Sequence, residues 1–86
     1  MSEVAVFSGR PQIAAIVDRL LARRSATAGV GPDEDLHNRG LTSLDMVNLM
    51  LAVEDAFDIE IPQREMTPDN FRTIAAIERL VGRLVA

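Results

Sequence analysis

Apolar residues recur at helical spacing in three stretches of this chain. Ile13, Ile16, Val17, Leu20 and Leu21 form the first stripe. Pro11 suits a first helical turn, where its missing N–H costs nothing. Arg19, Arg23 and Arg24 suit the negative end of a helix dipole. The spacing predicts a helix from about Pro11 to about Ala26. A second helix is predicted from about Ser43 to Phe57. Met46, Met50, Val53 and Phe57 lie on one face of it, with Leu49 beside them, and that face is expected to be buried. Leu44, Val47 and Leu51 form a second stripe. A helix apolar over so much of its circumference is either central or has a partner. The third begins near Thr73, a good N-cap, and carries Ile74, Ile77, Leu80, Val81 and Leu84 on one face.

Polar punctuation separates these stretches. Residues 1–9 lack a helical period and read as a flexible tail, leaving 10–86 as one domain. Residues 28–42 form a long loop marked by Gly29, Gly31, Pro32 and Gly40, with Leu36 as its apolar anchor. Loops of this length in compact domains are often functional. Asp58-Ile59-Glu60-Ile61 alternates briefly, but Pro62 makes it a short extended segment rather than a paired strand. Residues 63–72 hold one short helix or turn, with Thr67 as cap and Pro68 inside it. The expected fold is all-α: a bundle of three substantial helices plus one short helix, with a long loop between the first two.

Composition agrees with helix packed on helix. Among 86 residues the aromatics are three Phe, so the core must be aliphatic. There is no cysteine, so any thiol chemistry has to arrive on a cofactor. No apolar run approaches a membrane span, and the N-terminus lacks the pattern of a signal peptide. The expectation is a cytoplasmic monomer with no membrane partner.

Charge is unevenly spread. Residues 31–62 hold eight acids against Arg39, a net −7 in a chain of net −4. That middle third argues against nucleic acid and would attract a basic protein surface.

Ser43 is the candidate for chemistry. It follows a glycine-bearing loop and stands where an amphipathic helix begins. A serine hydroxyl is a weak nucleophile unless a base activates it. The only histidine, His37, lies in the loop, and neither a Gly-x-Ser-x-Gly elbow nor a lysine is present. A hydroxyl modified by another enzyme fits better than a self-contained hydrolase. A phosphodiester there would sit near the unpaired N–H groups of a helix start. The bland reading is that Thr42-Ser43 is only a helix cap. Asp33-Glu34-Asp35 is not a calcium loop, because the sixth residue is Asn38 rather than Gly and the twelfth is Leu44 rather than Glu. His37 alone lacks metal-ligand companions and reads as a solvated loop residue.

The string Gly40-Leu41-Thr42-Ser43-Leu44, with Val47 four residues past the serine, then Glu54-Asp55-Ala56-Phe57-Asp58-Ile59-Glu60-Ile61-Pro62, resembles acyl carrier proteins. The likeness covers about residues 33–84. It implies an acyl-carrier-like bundle whose Ser43 bears a 4'-phosphopantetheine arm, derived from coenzyme A and joined by a phosphopantetheinyl transferase. It implies an acyl or aminoacyl thioester on the arm, presented to partner enzymes, with no catalysis by the carrier itself. The family's usual Asp before the serine is Thr42 here, and Asn48 replaces a common acid.

The same resemblance assigns partner contact to Leu44, Val47 and Leu51, with Asp45, Glu54 and Asp55 as nearby acids. Modest apolar anchors inside a charged rim make contacts that form fast and release. A narrower likeness runs from Leu49 to Ile77 and is to small stand-alone aminoacyl carrier proteins. It implies loading by an amino-acid-activating ligase akin to a truncated seryl-tRNA synthetase, then downstream transferases or synthases. Fatty-acyl, polyketide and peptide cargoes stay open. The alternative of a different class is a helical interaction module whose Ser43 is merely a cap.

Overall fold

A computed structural model describes residues 9–23 and 29–85. It contains three α-helices, α1 (Arg10–Ala22), α2 (Ser43–Phe57) and α3 (Ile74–Val85), with no strand among the described residues. α1 contains its whole apolar stripe but ends at Ala22, before the expected Ala26, and Arg23 already lies in a turn. Arg24–Ala26 and most of the expected tail lie outside the described residues. In place of one short helix there are two 3₁₀ turns, Gln63–Glu65 and Pro68–Phe71. Thr67 precedes the second of them, but its side chain makes no capping bond.

The core is the meeting of three stripes. Ile13, Val17 and Leu21 of α1, Leu49 and Val53 of α2, and Ile77, Leu80 and Val81 of α3 are all fully buried. Each such aliphatic side chain contributes roughly 1.5–3 kcal/mol relative to staying in water. Phe71, buried at the end of the second 3₁₀ turn, closes one end of this interior. Phe57 is a correction: it is half-buried and packs against the edge of the core rather than inside it.

The long loop is stitched to the bundle, and this positions the site. Leu36 is fully buried, as its role of anchor requires, and Leu41 joins it. The Leu36 N–H donates to the Arg72 carbonyl at 2.8 Å, and the Ala75 N–H donates to the Pro32 carbonyl at 2.9 Å. Ala75 is in the first turn of α3, whose N–H groups have no intrahelical partner, so the loop supplies one. Between the two leucines the chain turns back on itself, with the Leu41 N–H donating to the Leu36 carbonyl at 3.2 Å. Gly40 adopts φ 110° there, a conformation open to glycine and strained for other residues.

α2 is delimited by its own sequence. The Asp45 N–H donates to Thr42 Oγ1 at 3.2 Å, and the Thr42 N–H donates to Asp45 Oδ2 at 2.9 Å. This reciprocal capping box satisfies two donors that a helix start leaves open. At the other end Asp58 turns left-handed at φ 53° and its N–H donates to the Glu54 carbonyl. α3 starts on Thr73, whose Oγ1 accepts from the Ala76 N–H at 3.0 Å.

Candidate functional site

Ser43 is the first residue of α2 and is exposed. The capping role belongs to Thr42, which leaves the Ser43 hydroxyl without structural work in the cap. The hydroxyl stands at the edge of a cavity of about 180 Å³. α2 contributes Ser43, Met46, Val47 and Met50 to it, the loop contributes His37, and the 3₁₀ segment contributes Met66, Pro68 and Phe71. The walls are therefore mostly thioether and hydrocarbon. His37 is the lining residue that can carry charge.

The long loop brings His37 to Ser43, which the spacing in sequence did not foretell. His37 Nδ1 lies 2.9 Å from the Leu41 carbonyl, and its backbone N–H donates to Asp35 Oδ1 at 2.9 Å. The tight turn closed by Leu36 and Leu41 thus holds the imidazole against the Leu41 carbonyl, in the wall of the cavity that Ser43 also lines. Met66, Pro68 and Phe71 were likewise unforeseen at this place.

The residues expected to meet partners divide into two groups. Leu44, Val47 and Leu51 are exposed by 67%, 50% and 57%, an open apolar stripe along α2. Asp55 is exposed too. Asp45 is a correction: it is buried at 6% exposure, and its carboxylate serves the capping box. Glu54 is half-buried, and its Oε2 accepts from the Ile61 N–H at 2.8 Å, holding the segment that leaves α2. The acid rim at this face is accordingly thinner than the sequence suggested. No group of three or more metal-ligating side chains occurs among the described residues. No helix there is long and apolar enough to cross a membrane.

A family model described as the phosphopantetheine attachment site matches residues 11–81, which takes in α2, the cavity and most of α1 and α3. The chain belongs to this phosphopantetheine-attachment family. Its curated relatives narrow the group. Aminoacyl carrier protein 1 of Bradyrhizobium diazoefficiens is 47% identical over 72 residues, covering 84% of this chain and 80% of that one. Aminoacyl carrier protein 2 of the same organism is 41% identical over 70 residues, covering 81% and 79%.

Among solved structures, similarity is found to a chain in the crystal structure of Bradyrhizobium japonicum glycine:carrier protein ligase complexed with cognate carrier protein and an analogue of glycyl adenylate. The TM-score is 0.74 at 45% identity, over 88% of this chain and 99% of that one. A second match is to a chain in the same ligase complexed with glycylated carrier protein, at TM-score 0.72 and 45% identity, over 85% and 99%.

The all-α bundle expected from the three stripes, and the carrier fold that the family resemblance implied, are thus the fold of this family member. It is a carrier protein of the aminoacyl carrier group, and its prosthetic group is 4'-phosphopantetheine. The absence of cysteine accords with this, since the thiol that holds the cargo belongs to the arm. The relatives bear the name of carriers rather than of enzymes.

Proposed function

We propose that the arm is joined to Ser43 and that it carries an amino acid. The observation behind this reading is the division of labour at the start of α2. Thr42 caps the helix, while the adjacent Ser43 hydroxyl stays exposed at the mouth of an apolar cavity. This disfavours the alternative in which Ser43 is only a cap. The residues fit the group on chemical grounds. The hydroxyl is accessible to a phosphopantetheinyl transferase. The first N–H groups of α2 offer positive potential to a phosphodiester. When bound, the arm supplies a thiol that takes the acyl group as a thioester.

The chain does not catalyse its own loading in this reading. No triad stands behind Ser43 among the described residues, because His37 Nδ1 faces a backbone carbonyl and not a carboxylate. An amino-acid-activating ligase has to do that work. Glycine is the first cargo to try, since carrier-protein structures similar to this chain include complexes with a glycine ligase. Later transferases or synthases would receive the aminoacyl group. Coenzyme A and ATP make the cytoplasm the natural setting. Leu44, Val47, Leu51 and Asp55 are the surface on which we place partner docking. The flexible arm then turns each brief encounter into delivery at high effective concentration.

The test is intact mass. Incubation with coenzyme A, magnesium and a promiscuous phosphopantetheinyl transferase should add one phosphopantetheinyl group. Ser43→Ala should add none while keeping its helical circular dichroism. A group that still appears on the variant would overturn the assignment. Adding a glycine-activating carrier protein ligase with glycine and ATP should then add one glycyl mass to the modified chain alone.

A further inference from the structure

The cavity beside Ser43 holds a feature that the carrier role does not use: a single imidazole in an otherwise uncharged wall. The Leu41 carbonyl can only accept a hydrogen bond, so the proton of the neutral His37 ring resides on Nδ1. That contact ties one edge of the ring to the loop. Nε2, on the far edge, has no hydrogen bond among the described residues. It is the polar atom the ring can offer to a group at Ser43.

We propose that His37 is a positioning residue for the root of the arm, donating from Nε2 to the phosphodiester at Ser43 when the imidazole is protonated. The proposal rests on Ser43 being the attachment point. Protonated, the ring presents a charge-assisted donor to a phosphate oxygen, stronger than a neutral pair. Neutral, it presents a lone pair to an anion, and the contact fails. The charged ring therefore holds the arm's first segment over the cavity, and the neutral ring does not.

The surrounding acids do not take over the imidazolium. Asp35 on the loop accepts from the N–H groups of His37 and Asn38. Asp45 on α2 is engaged with Thr42. On the 3₁₀ segment, Asp69 pairs with Arg72, and Glu65 with Asn70 and Arg83. Glu34 pairs with Arg39. None of these carboxylates lines the cavity, whose other walls are Ser43, three methionines, Val47, Pro68 and Phe71. An anion placed at Ser43 would be the new charge in the space the ring borders. The interaction favours the charged ring, so attachment should move the imidazole titration to higher pH.

The experiment uses the full chain, with and without the arm, after its mass has been checked. A phosphodiester does not itself titrate near neutrality, so any change of its phosphorus resonance there reports a neighbour. The ³¹P signal of the modified chain should shift with pH and share its midpoint with the ring protons of His37, the sole histidine. Those ring protons should titrate at higher pH in the modified chain than in the unmodified one. His37→Gln should still accept the arm, and its ³¹P signal should be flat over the same range. A flat ³¹P signal in the native chain, or identical ring titrations with and without the arm, would overturn the role of His37 and leave the attachment at Ser43 standing. A chain that gains no mass would overturn both.

Discussion

Thr42 and Asp45 bond each other three times: the Thr42 N–H and hydroxyl donate to the Asp45 carboxylate at 2.9 and 3.0 Å, the Asp45 N–H donates to the Thr42 hydroxyl at 3.2 Å, and Ser43 sits inside the turn they close. The pair fixes the direction in which α2 departs. It therefore fixes where the Ser43 hydroxyl stands relative to the cavity. Asp45 acts as a structural acid, although its sequence neighbourhood suggested a docking role.

Asp45→Ala should therefore destabilise the fold by about 1 kcal/mol, the usual cost of losing a cap. In a domain of this size that lowers the melting temperature by roughly 4–8 °C. Asp45→Arg should be worse, because it buries a charge where a hydrogen-bonded carboxylate was. Thermal circular dichroism measures both. An unchanged melting temperature in Asp45→Ala would remove the capping box from the stability of α2.

Glu54 makes a parallel case. Its carboxylate receives the Ile61 N–H, and Ile61 is nearly fully buried. Glu54→Ala leaves that amide without its partner, at a cost of about 1–3 kcal/mol. Glu54→Gln keeps an acceptor and should cost less. Amide hydrogen exchange at Ile61 should accelerate in Glu54→Ala and change little in Glu54→Gln. Equal protection in both variants would contradict the bond.

Burial ranks the core substitutions. Leu49 is fully buried, and Leu49→Ala should cost about 2–5 kcal/mol. Phe57 is half-buried, so Phe57→Ala should fall below the roughly 3–5 kcal/mol of a fully enclosed phenylalanine. Urea unfolding of the two variants gives the order directly. A larger loss in Phe57→Ala than in Leu49→Ala would reverse the assignment of the buried face.

Val47 tests the docking surface. It is half exposed at the centre of the stripe between Leu44 and Leu51, so Val47→Asp should leave the melting temperature nearly unchanged. Loading of the modified chain by a carrier protein ligase should slow, since the substitution puts an unpaired charge in an apolar contact. Loading of the native chain should also slow as salt rises, because exposed charges are screened within about 8–10 Å at moderate ionic strength. Native loading rates in Val47→Asp would move docking away from this stripe.

Much of this molecule was legible along the chain. Three apolar stripes predicted three helices, and α2 begins and ends where its sequence signals do, at the Thr42 cap and before Asp58. Those signals are local, since capping and helical period depend on residues within one or two turns. Ser43 stood out for the same reason, at a loop-to-helix boundary inside a long family-like string. The open stripe of Leu44, Val47 and Leu51 could be seen as a second face, and the family resemblance gave it to partners, but the helical period alone could not show its exposure. Exposure depends on which faces α1 and α3 cover. Only the tertiary structure decided that Asp45 and Glu54 turn inward to backbone N–H groups while Asp55 faces water. It also decided that His37, Met66 and Phe71 meet Ser43 around one cavity. That meeting depends on a loop fastened through Leu36 and Leu41, and such long-range closure leaves no period in the sequence.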